Sequence, residues 1–188
     1  MNSIDKRNSV KKDYDLIADQ YFEEFGTVLE DIDLINKFES YLENNSLIID
    51  LGGGSGKLTN YFNEKTIDGI IAMYSLFHIP KENINQLFKD INNVLKNNGL
   101  FCFSLQLGSG EEFVDEPYLK ENGKNVLYMN YLTKNEIYNL LNESNFDIIY
   151  ETEKHETGDN VIGEDGNDAI YIISRKRCWS KWMKIKLI

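Results

Sequence analysis

At 188 residues, 41% of them hydrophobic, the chain is long enough to bury a substantial core as a single domain. Its formal net charge of -11 disfavours a nucleic-acid partner, because proteins that bind nucleic acids usually present a basic face. The sequence has no apolar run near the roughly 20 residues of a membrane span, no apolar signal-peptide core, and no metal-binding spacing of its two cysteines. We therefore expect a cytoplasmic protein with no membrane span, no nucleic-acid partner and no metal site.

Two amphipathic helices are predicted at the start of the chain, over residues 10–25 and residues 28–43. In each of them, apolar side chains recur every three or four residues, which places them on one face of the helix. The face of the first helix consists of Tyr14, Ile17, Ala18, Tyr21, Phe22 and Phe25, and that of the second of Leu29, Ile32, Ile35, Phe38, Tyr41 and Leu42. Both faces are expected to pack against the rest of the domain.

A glycine-rich turn follows the first predicted strand, SLIID, which ends at Asp50. Gly52 allows a tight turn, and Gly54 and Gly56 allow the backbone to approach a ligand closely. The next segment, LTNYFNEK, has room for only two turns of helix before another predicted strand, TIDGIIAMYS. By itself the glycine pattern is also compatible with a turn that holds no ligand, so its meaning depends on its context.

Helices and strands continue to alternate along the rest of the chain. ENINQLFKDINNVLKNNG is a predicted helix with Gly99 at its C-terminal cap, and the strand LFCFSLQL is expected to bury Cys102. Residues 108–131 are predicted to form a long loop, and the helix TKNEIYNLLNESN begins with a capping box of Thr133 and Glu136. FDIIYETE and DAIYIISRK complete the pattern as an antiparallel hairpin at the sheet edge. The alternation predicts an α/β fold with an open, largely parallel sheet.

The run Asp50-Leu51-Gly52-Gly53-Gly54-Ser55-Gly56 resembles the first motif, D/E-x-G-x-G-x-G, of the class I S-adenosylmethionine (SAM)-dependent methyltransferases. Residues 67–105 resemble that family's fourth strand, the loop after it, the next helix and the fifth strand, and YDLIADQYFEEF resembles the N-terminal lid helix of its small-molecule branch. The resemblance covers nearly all of residues 10–176, in the family's order. It implies a Rossmann-like methyltransferase fold, SAM as the cofactor and transfer of a methyl group to a small-molecule acceptor.

The resemblance also implies which residues form the site. Cofactor-binding roles fall on Asp50, Gly52, Gly54 and Gly56 of the loop and on Tyr14 and Tyr21 of the lid helix, for which ordinary core packing is the alternative. His78 matches a position that faces the methyl donor or acceptor, where a base suits an oxygen or nitrogen acceptor, and a packed loop histidine is the alternative. Tyr128 and Tyr131 match the family's substrate lid as acceptor contacts.

The chain departs from the family between the glycine loop and the next strand. A strand–helix–strand unit needs roughly 30 residues, whereas Lys57–Thr66 is all that separates the two elements here. Neither Glu64 nor Asp68 matches the family's ribose-binding acid, so SAM binding is expected to be weak. The strand that ends at Asp50 should lie beside the strand centred on Ile71, in a five-stranded sheet ordered first, fourth, fifth, seventh, sixth by family naming.

The shortened segment leaves three functions open. The chain is a working small-molecule methyltransferase, a relative without cofactor that serves as a scaffold or interaction partner, or a binder of a different small ligand. Its first strand, residues 47–50, becomes an apolar sheet edge, which favours a homodimer. We expect residues 1–176 to form a single truncated domain with N-terminal lid helices, and residues 177–188 to form a basic tail that is either a membrane-surface helix or a loosely docked terminus.

Overall fold

The computed structural model describes residues 2–25, 31–52, 67–115, 126–156 and 167–178. Its helices are α1 (Ser3–Phe25), α2 (Ile32–Glu39), a short 3-10 helix (Leu76–His78), α3 (Lys81–Val94) and α4 (Lys134–Glu143). Its strands are β1 (Leu47–Asp50), β2 (Ile67–Ala72), β3 (Leu100–Gln106), β4 (Gly110–Asp115), β5 (Val126–Tyr131), β6 (Phe146–Glu156) and β7 (Asn167–Lys176). Within these residues, no helix combines the length and the apolar character needed to cross a membrane.

Among the described residues, the central sheet has five strands in the order β1-β2-β3-β7-β6. Strands β1, β2 and β3 pair in parallel, and β7 runs antiparallel to both β3 and β6. Asp50 is in register with Ile71, so the strand that ends at Asp50 lies directly beside the strand centred on Ile71, as predicted. The predicted strand order and the antiparallel hairpin at the sheet edge are both confirmed.

Two hydrophobic layers cover the sheet because β3 is buried along its whole length and its side chains alternate between the faces. Phe101 and Phe103 point toward α3 and α4, where Phe88 packs edge-to-face against both rings. Cys102 points to the other face and, as predicted, is fully buried there, in a layer that α2 completes. The contact between α2 and the sheet is close, since a Cβ added to Gly69 would lie 2.6 Å from Phe38 Cζ.

The helix ends show which capping predictions hold. Thr133 and Glu136 form the predicted capping box at the start of α4. At the end of α3 the prediction of a Gly99 cap is wrong, because the helix ends earlier, with Leu95 in an extended conformation. Lys176 Nζ instead donates to the carbonyl oxygens of Asn92 (2.6 Å) and Leu95 (2.8 Å), which satisfies acceptors that the last helical turn leaves open.

Three further boundaries differ from the predictions. Helix α1 begins at Ser3 rather than residue 10, and α2 is shorter than the predicted 28–43. Residues 108–131, predicted as a loop, contain β4 and β5, which pair antiparallel as a separate two-stranded sheet. The pairing is stabilised because Leu127, Met129 and Tyr131 alternate along β5 and are buried against the main core. The predicted helix LTNYFNEK lies outside the described residues.

Candidate functional site

The candidate site lies where the carboxyl ends of β1, β2 and β3 meet, which is the edge at which open parallel sheets bind ligands. The backbone N–H of Leu51 donates to Ile71 O (2.7 Å) and carries the parallel pairing one residue beyond Asp50. The chain then turns at Gly52, opposite Ser75, the third residue after the end of β2. The sequence predictions for Asp50 and Gly52 therefore fall at this edge, whereas Gly54 and Gly56 lie outside the described residues.

Gly52 forms a turn that other residues would not fit. Its φ is +84°, in the left-handed region that favours glycine. An added Cβ would lie 3.0 Å from Ser75 Oγ and only 2.5 Å from Ser75 Cβ, and the second distance is shorter than real Cβ contacts show. Ser75 Oγ also donates to Leu51 O (2.9 Å), so the hydroxyl group holds the turn from the side. The predicted tight turn at Gly52 is confirmed, and Ser75 is a partner that the sequence did not indicate.

Tyr74 positions Ser75 by taking an unusual backbone conformation. Its φ is +51°, which is uncommon for a residue with a bulky side chain. The Tyr74 N–H donates to Ser104 Oγ (2.9 Å), and the Tyr74 hydroxyl lies 2.6 Å from the Tyr171 hydroxyl and 3.3 Å from Asp31 Oδ1. These contacts offset the cost of the left-handed conformation and hold Ser75 against the Gly52 turn.

His78 is buried at the end of the 3-10 helix, and both of its ring nitrogens have partners. Nδ1 lies 3.0 Å from the Tyr128 carbonyl oxygen. Because a carbonyl oxygen only accepts, Nδ1 must carry the proton in the neutral ring. Nε2 is then the acceptor, and the Tyr14 hydroxyl donates to it across 2.9 Å. Burial lowers the pKa of His78 to about 4, so the imidazole is neutral near pH 7.

Helix α1 brings the two predicted lid tyrosines to this histidine. The Tyr14 ring makes edge-to-face contacts with His78, at a centroid distance of 5.3 Å, and with Tyr21, at 5.7 Å. Asp13 and Ile17 on the same helix are buried, and Asp13 accepts a hydrogen bond from Ser9 Oγ (3.1 Å). This part of α1 therefore packs against the domain, and Tyr14 is the side chain that connects the helix to His78.

The two tyrosines predicted to contact an acceptor lie on opposite faces of β5. Tyr131 packs into the main core, where burial raises its pKa to about 12. Tyr128 is also buried, but its ring packs beside Phe113 and under Lys6 Nζ, which lies 5.0 Å from the ring centroid. The Tyr128 hydroxyl donates to Glu111 Oε1, so its one donor proton is already engaged within the protein.

Glu111 collects hydrogen bonds from three separate elements. Besides the Tyr128 hydroxyl, its Oε1 accepts from Lys6 Nζ of α1 (3.0 Å) and from the backbone N–H of Lys81 at the start of α3 (2.9 Å). Partial burial opposes ionisation, but the hydrogen bonds from Tyr128, Lys81 and Lys6 outweigh it and lower the pKa of Glu111 to about 2. Sequence reasoning missed this residue because its segment was predicted as a loop, although the alternating apolar residues of β5 were a usable signal.

Two other polar residues lie away from this edge. Asp68 accepts from the backbone N–H of Leu47 (3.0 Å) and pairs with Lys96 Nζ (3.1 Å), near the start of β2 and thus at the opposite end of the sheet. The exposed His155 pairs with Asp168, 2.7 Å away, on the β6–β7 hairpin. Asp68 is therefore not placed to bind a ribose at the candidate site. Among the described residues, no three side chains of metal-binding type converge on one point.

The fold has counterparts among solved structures, and part of the sequence matches a known family. Residues 36–103 match the family model described as a methyltransferase domain, and no curated protein matches the sequence. A SAM-dependent methyltransferase from Methanosarcina mazei superposes with a TM-score of 0.61 at 16% identity, covering 79% of this chain and 98% of that one. The 1,6-didemethyltoxoflavin-N1-methyltransferase of Burkholderia thailandensis, solved with 1,6-didemethyltoxoflavin and S-adenosylhomocysteine bound, gives 0.69 at 12% identity, covering 95% and 92%.

A third similar structure is the cyclase SpnF, with a TM-score of 0.52 and 10% identity over 77% of this chain and 80% of that one. At such identities the structural likeness shows the fold alone, and a cyclase on this fold means that the fold does not fix the reaction. The matched residues 36–103 include the Gly52 turn, Ser75 and His78. Residues 36–103 thus match a methyltransferase domain, and the chain has the fold of SAM-dependent methyltransferases of known structure.

Proposed function

We propose that this protein binds SAM at the carboxyl edge of β1 and β2 and transfers a methyl group to a small-molecule acceptor. The observation that carries the proposal is the Gly52 turn, whose backbone is packed so tightly against Ser75 that only glycine fits. Backbone N–H groups at such a turn suit an anion such as the carboxylate of SAM. Asp50, Gly54 and Gly56 are proposed to complete the cofactor site with Gly52, and Tyr14 and Tyr21 to close over it.

When bound, SAM supplies a methyl group on a sulfonium, whose carbon–sulfur bond breaks as the acceptor's lone pair forms the new bond. The chain's own contribution to such a displacement is mainly positioning. His78 is neutral, and its Nε2 already accepts from Tyr14. We therefore propose that His78 acts in catalysis by orienting the Tyr14 hydroxyl rather than by taking a proton directly from the acceptor. This arrangement suits an acceptor whose nucleophilic atom has a lone pair available near pH 7.

Support for a small acceptor comes from the β4–β5 hairpin, which stands beside the 3-10 helix that carries His78. Tyr128 and Tyr131 are proposed to shape the acceptor pocket through their rings. The formal charge of -11 argues against a nucleic-acid acceptor. Cys102 and Cys178 are free thiols, which fits the proposed cytoplasmic location.

The experiment is isothermal titration of the purified protein with SAM and with S-adenosylhomocysteine. A hydrogen bond to a charged group is worth about 1.5–3 kcal/mol, so without a ribose-binding acid the affinity should be roughly 10- to 150-fold below that of a complete relative. Gly52→Val should abolish the binding. The matched control is Gly110→Val, because Gly110 also has a left-handed φ of +92° but faces open space. Absence of saturable binding at millimolar SAM would overturn the proposal.

One observation favours a second candidate, a cofactor-free scaffold or interaction protein. Strand β1 lies directly beside β2, and residues 51–66, which connect the two strands, are too few for the family's strand–helix–strand unit. Among the described strands β1 forms one end of the sheet, and Ile49 on it is 37% exposed. Such an edge favours a homodimer. Light scattering over a wide concentration range tests the homodimer, and a constant monomeric mass would contradict it.

A further inference from the structure

We propose that Glu111 is a positioning residue, which fixes the hydrogen bonding of His78 and Tyr14 by fastening the β4–β5 hairpin to both α1 and α3. Its relevance to catalysis rests on the proposed function, but the structural effect exists with or without cofactor. The starting observation is that one carboxylate oxygen, Oε1, receives hydrogen bonds from Lys6, Lys81 and Tyr128, each on a different element.

Tyr128 transmits the position of Glu111 to the histidine. The side chain of Tyr128 is held by Glu111, and its backbone carbonyl accepts from His78 Nδ1 (3.0 Å). Because the tyrosine is only 1% exposed, its side chain has little room to move independently of its backbone. Fixing the hydroxyl therefore fixes the carbonyl, and the carbonyl determines which nitrogen of His78 carries the proton.

Lys6 provides a second route, through α1. Lys6 and Tyr14 lie eight positions apart on the helix, which corresponds to about 12 Å along its axis. Lys6 is tied to Glu111 (3.0 Å) and Tyr14 to His78 (2.9 Å), so the helix is anchored at two separated points. Two anchors fix both its rotation and its position along the hairpin, whereas loss of the Lys6 anchor would leave only the contacts around Tyr14 to hold the helix.

The charge of Glu111 suits its place at the start of α3. Its oxygen accepts the N–H of Lys81, the first residue of that helix, where a negative charge is favourable. Removing the carboxylate would leave three donors without this acceptor: the backbone N–H of Lys81, the ammonium group of Lys6 and the buried hydroxyl of Tyr128. The hairpin would then lose its side-chain ties to both α1 and α3 at this point.

The test is nuclear magnetic resonance of protein labelled with nitrogen-15 in histidine, in a His155→Gln background that leaves His78 as the single histidine. The parent should show one tautomer, with the proton on Nδ1. Glu111→Ala should give averaged tautomers and, because charged hydrogen bonds are lost, amide exchange in α1 about tenfold faster or more. Glu112→Ala, a change at the exposed neighbouring residue of the same strand, is the matched control and should leave both measurements unchanged.

The proposal is overturned if Glu111→Ala keeps the single tautomer and the parent's amide exchange in α1. Should circular dichroism show that Glu111→Ala does not fold, Tyr128→Phe takes its place, since it removes the hydroxyl and keeps the carbonyl. An unchanged tautomer in Tyr128→Phe would then overturn the proposal. All of these measurements are made without SAM. If the protein fails to bind SAM but Glu111→Ala gives averaged tautomers of His78, the proposed function is refuted and the positioning role of Glu111 is supported.

Discussion

Acidification between pH 6.5 and pH 5 should destabilise the protein mainly through His78. The pKa of this histidine is lowered from 6.5 to about 4 by burial, which outweighs the opposing effect of its hydrogen bond to Tyr128. In this window His78 binds a proton in the unfolded chain but not in the folded protein. The contribution of His78 to the free energy of unfolding is therefore fully present above pH 6.5 and is lost as the pH decreases toward 4. At about 1.36 kcal/mol per pH unit, the loss should reach about 2 kcal/mol at pH 5.

Urea unfolding followed by circular dichroism measures this loss. The window is suitable because Glu111 and Glu136, whose pKa values are lowered to about 2, lose their stabilising effect only as the pH falls from about 4.5 toward 2. His78→Gln cannot titrate and should show little change between pH 6.5 and pH 5, whereas the control His155→Gln should lose stability as the parent does. If His78→Gln and the parent lost equal stability between pH 6.5 and pH 5, His78 would not be held neutral by burial.

The glycines and one helix cap provide three further predictions, each measured by urea unfolding. Gly52→Ala should lower the free energy of unfolding by about 2–5 kcal/mol, through backbone strain and overpacking together, whereas Gly110→Ala should lower it through strain alone, by about 1–2 kcal/mol. Equal losses in the two variants would contradict the close contact with Ser75. Gly69→Ala should cost about 1–3 kcal/mol because its Cβ would meet Phe38, and Gly69→Ala combined with Phe38→Leu should lose less than the two single changes added together. Thr133→Ala should cost about 0.5–2 kcal/mol by removing the cap of α4, and a stability equal to that of the parent would contradict the role of the capping box.

The sheet was predictable because its strands carry local signals. Short apolar runs bounded by turn residues marked β1, β2 and β3, and the short stretch between Asp50 and Ile67 left no room for another strand between the first two. The capping box of α4 was equally local. The position of Gly52 followed from its place after a strand, and the structure adds the physical reason, which is the contact with Ser75.

The rest of the site depended on contacts that are distant in sequence. Glu111 lies 105 positions from Lys6 and 30 from Lys81, so no local pattern indicates that the three residues meet. Gly99 was predicted as a helix cap from its position, but Lys176, from the last strand, satisfies the helix end instead. The sequence predicts a loop for the hairpin formed by β4 and β5, because the glycines and acidic residues of this segment outweigh the alternation of apolar residues in β5.

The most direct measurement of the central claim is titration of amide-labelled protein with SAM, followed residue by residue by nuclear magnetic resonance. Binding at the proposed site predicts the largest shift changes at Leu51, Gly52 and Ser75, with smaller ones at Tyr14 and His78. S-adenosylhomocysteine should shift the same signals, because it shares all of SAM except the transferred methyl group. Shift changes confined to other surfaces, or none at millimolar SAM, would contradict a methyltransferase function for this chain.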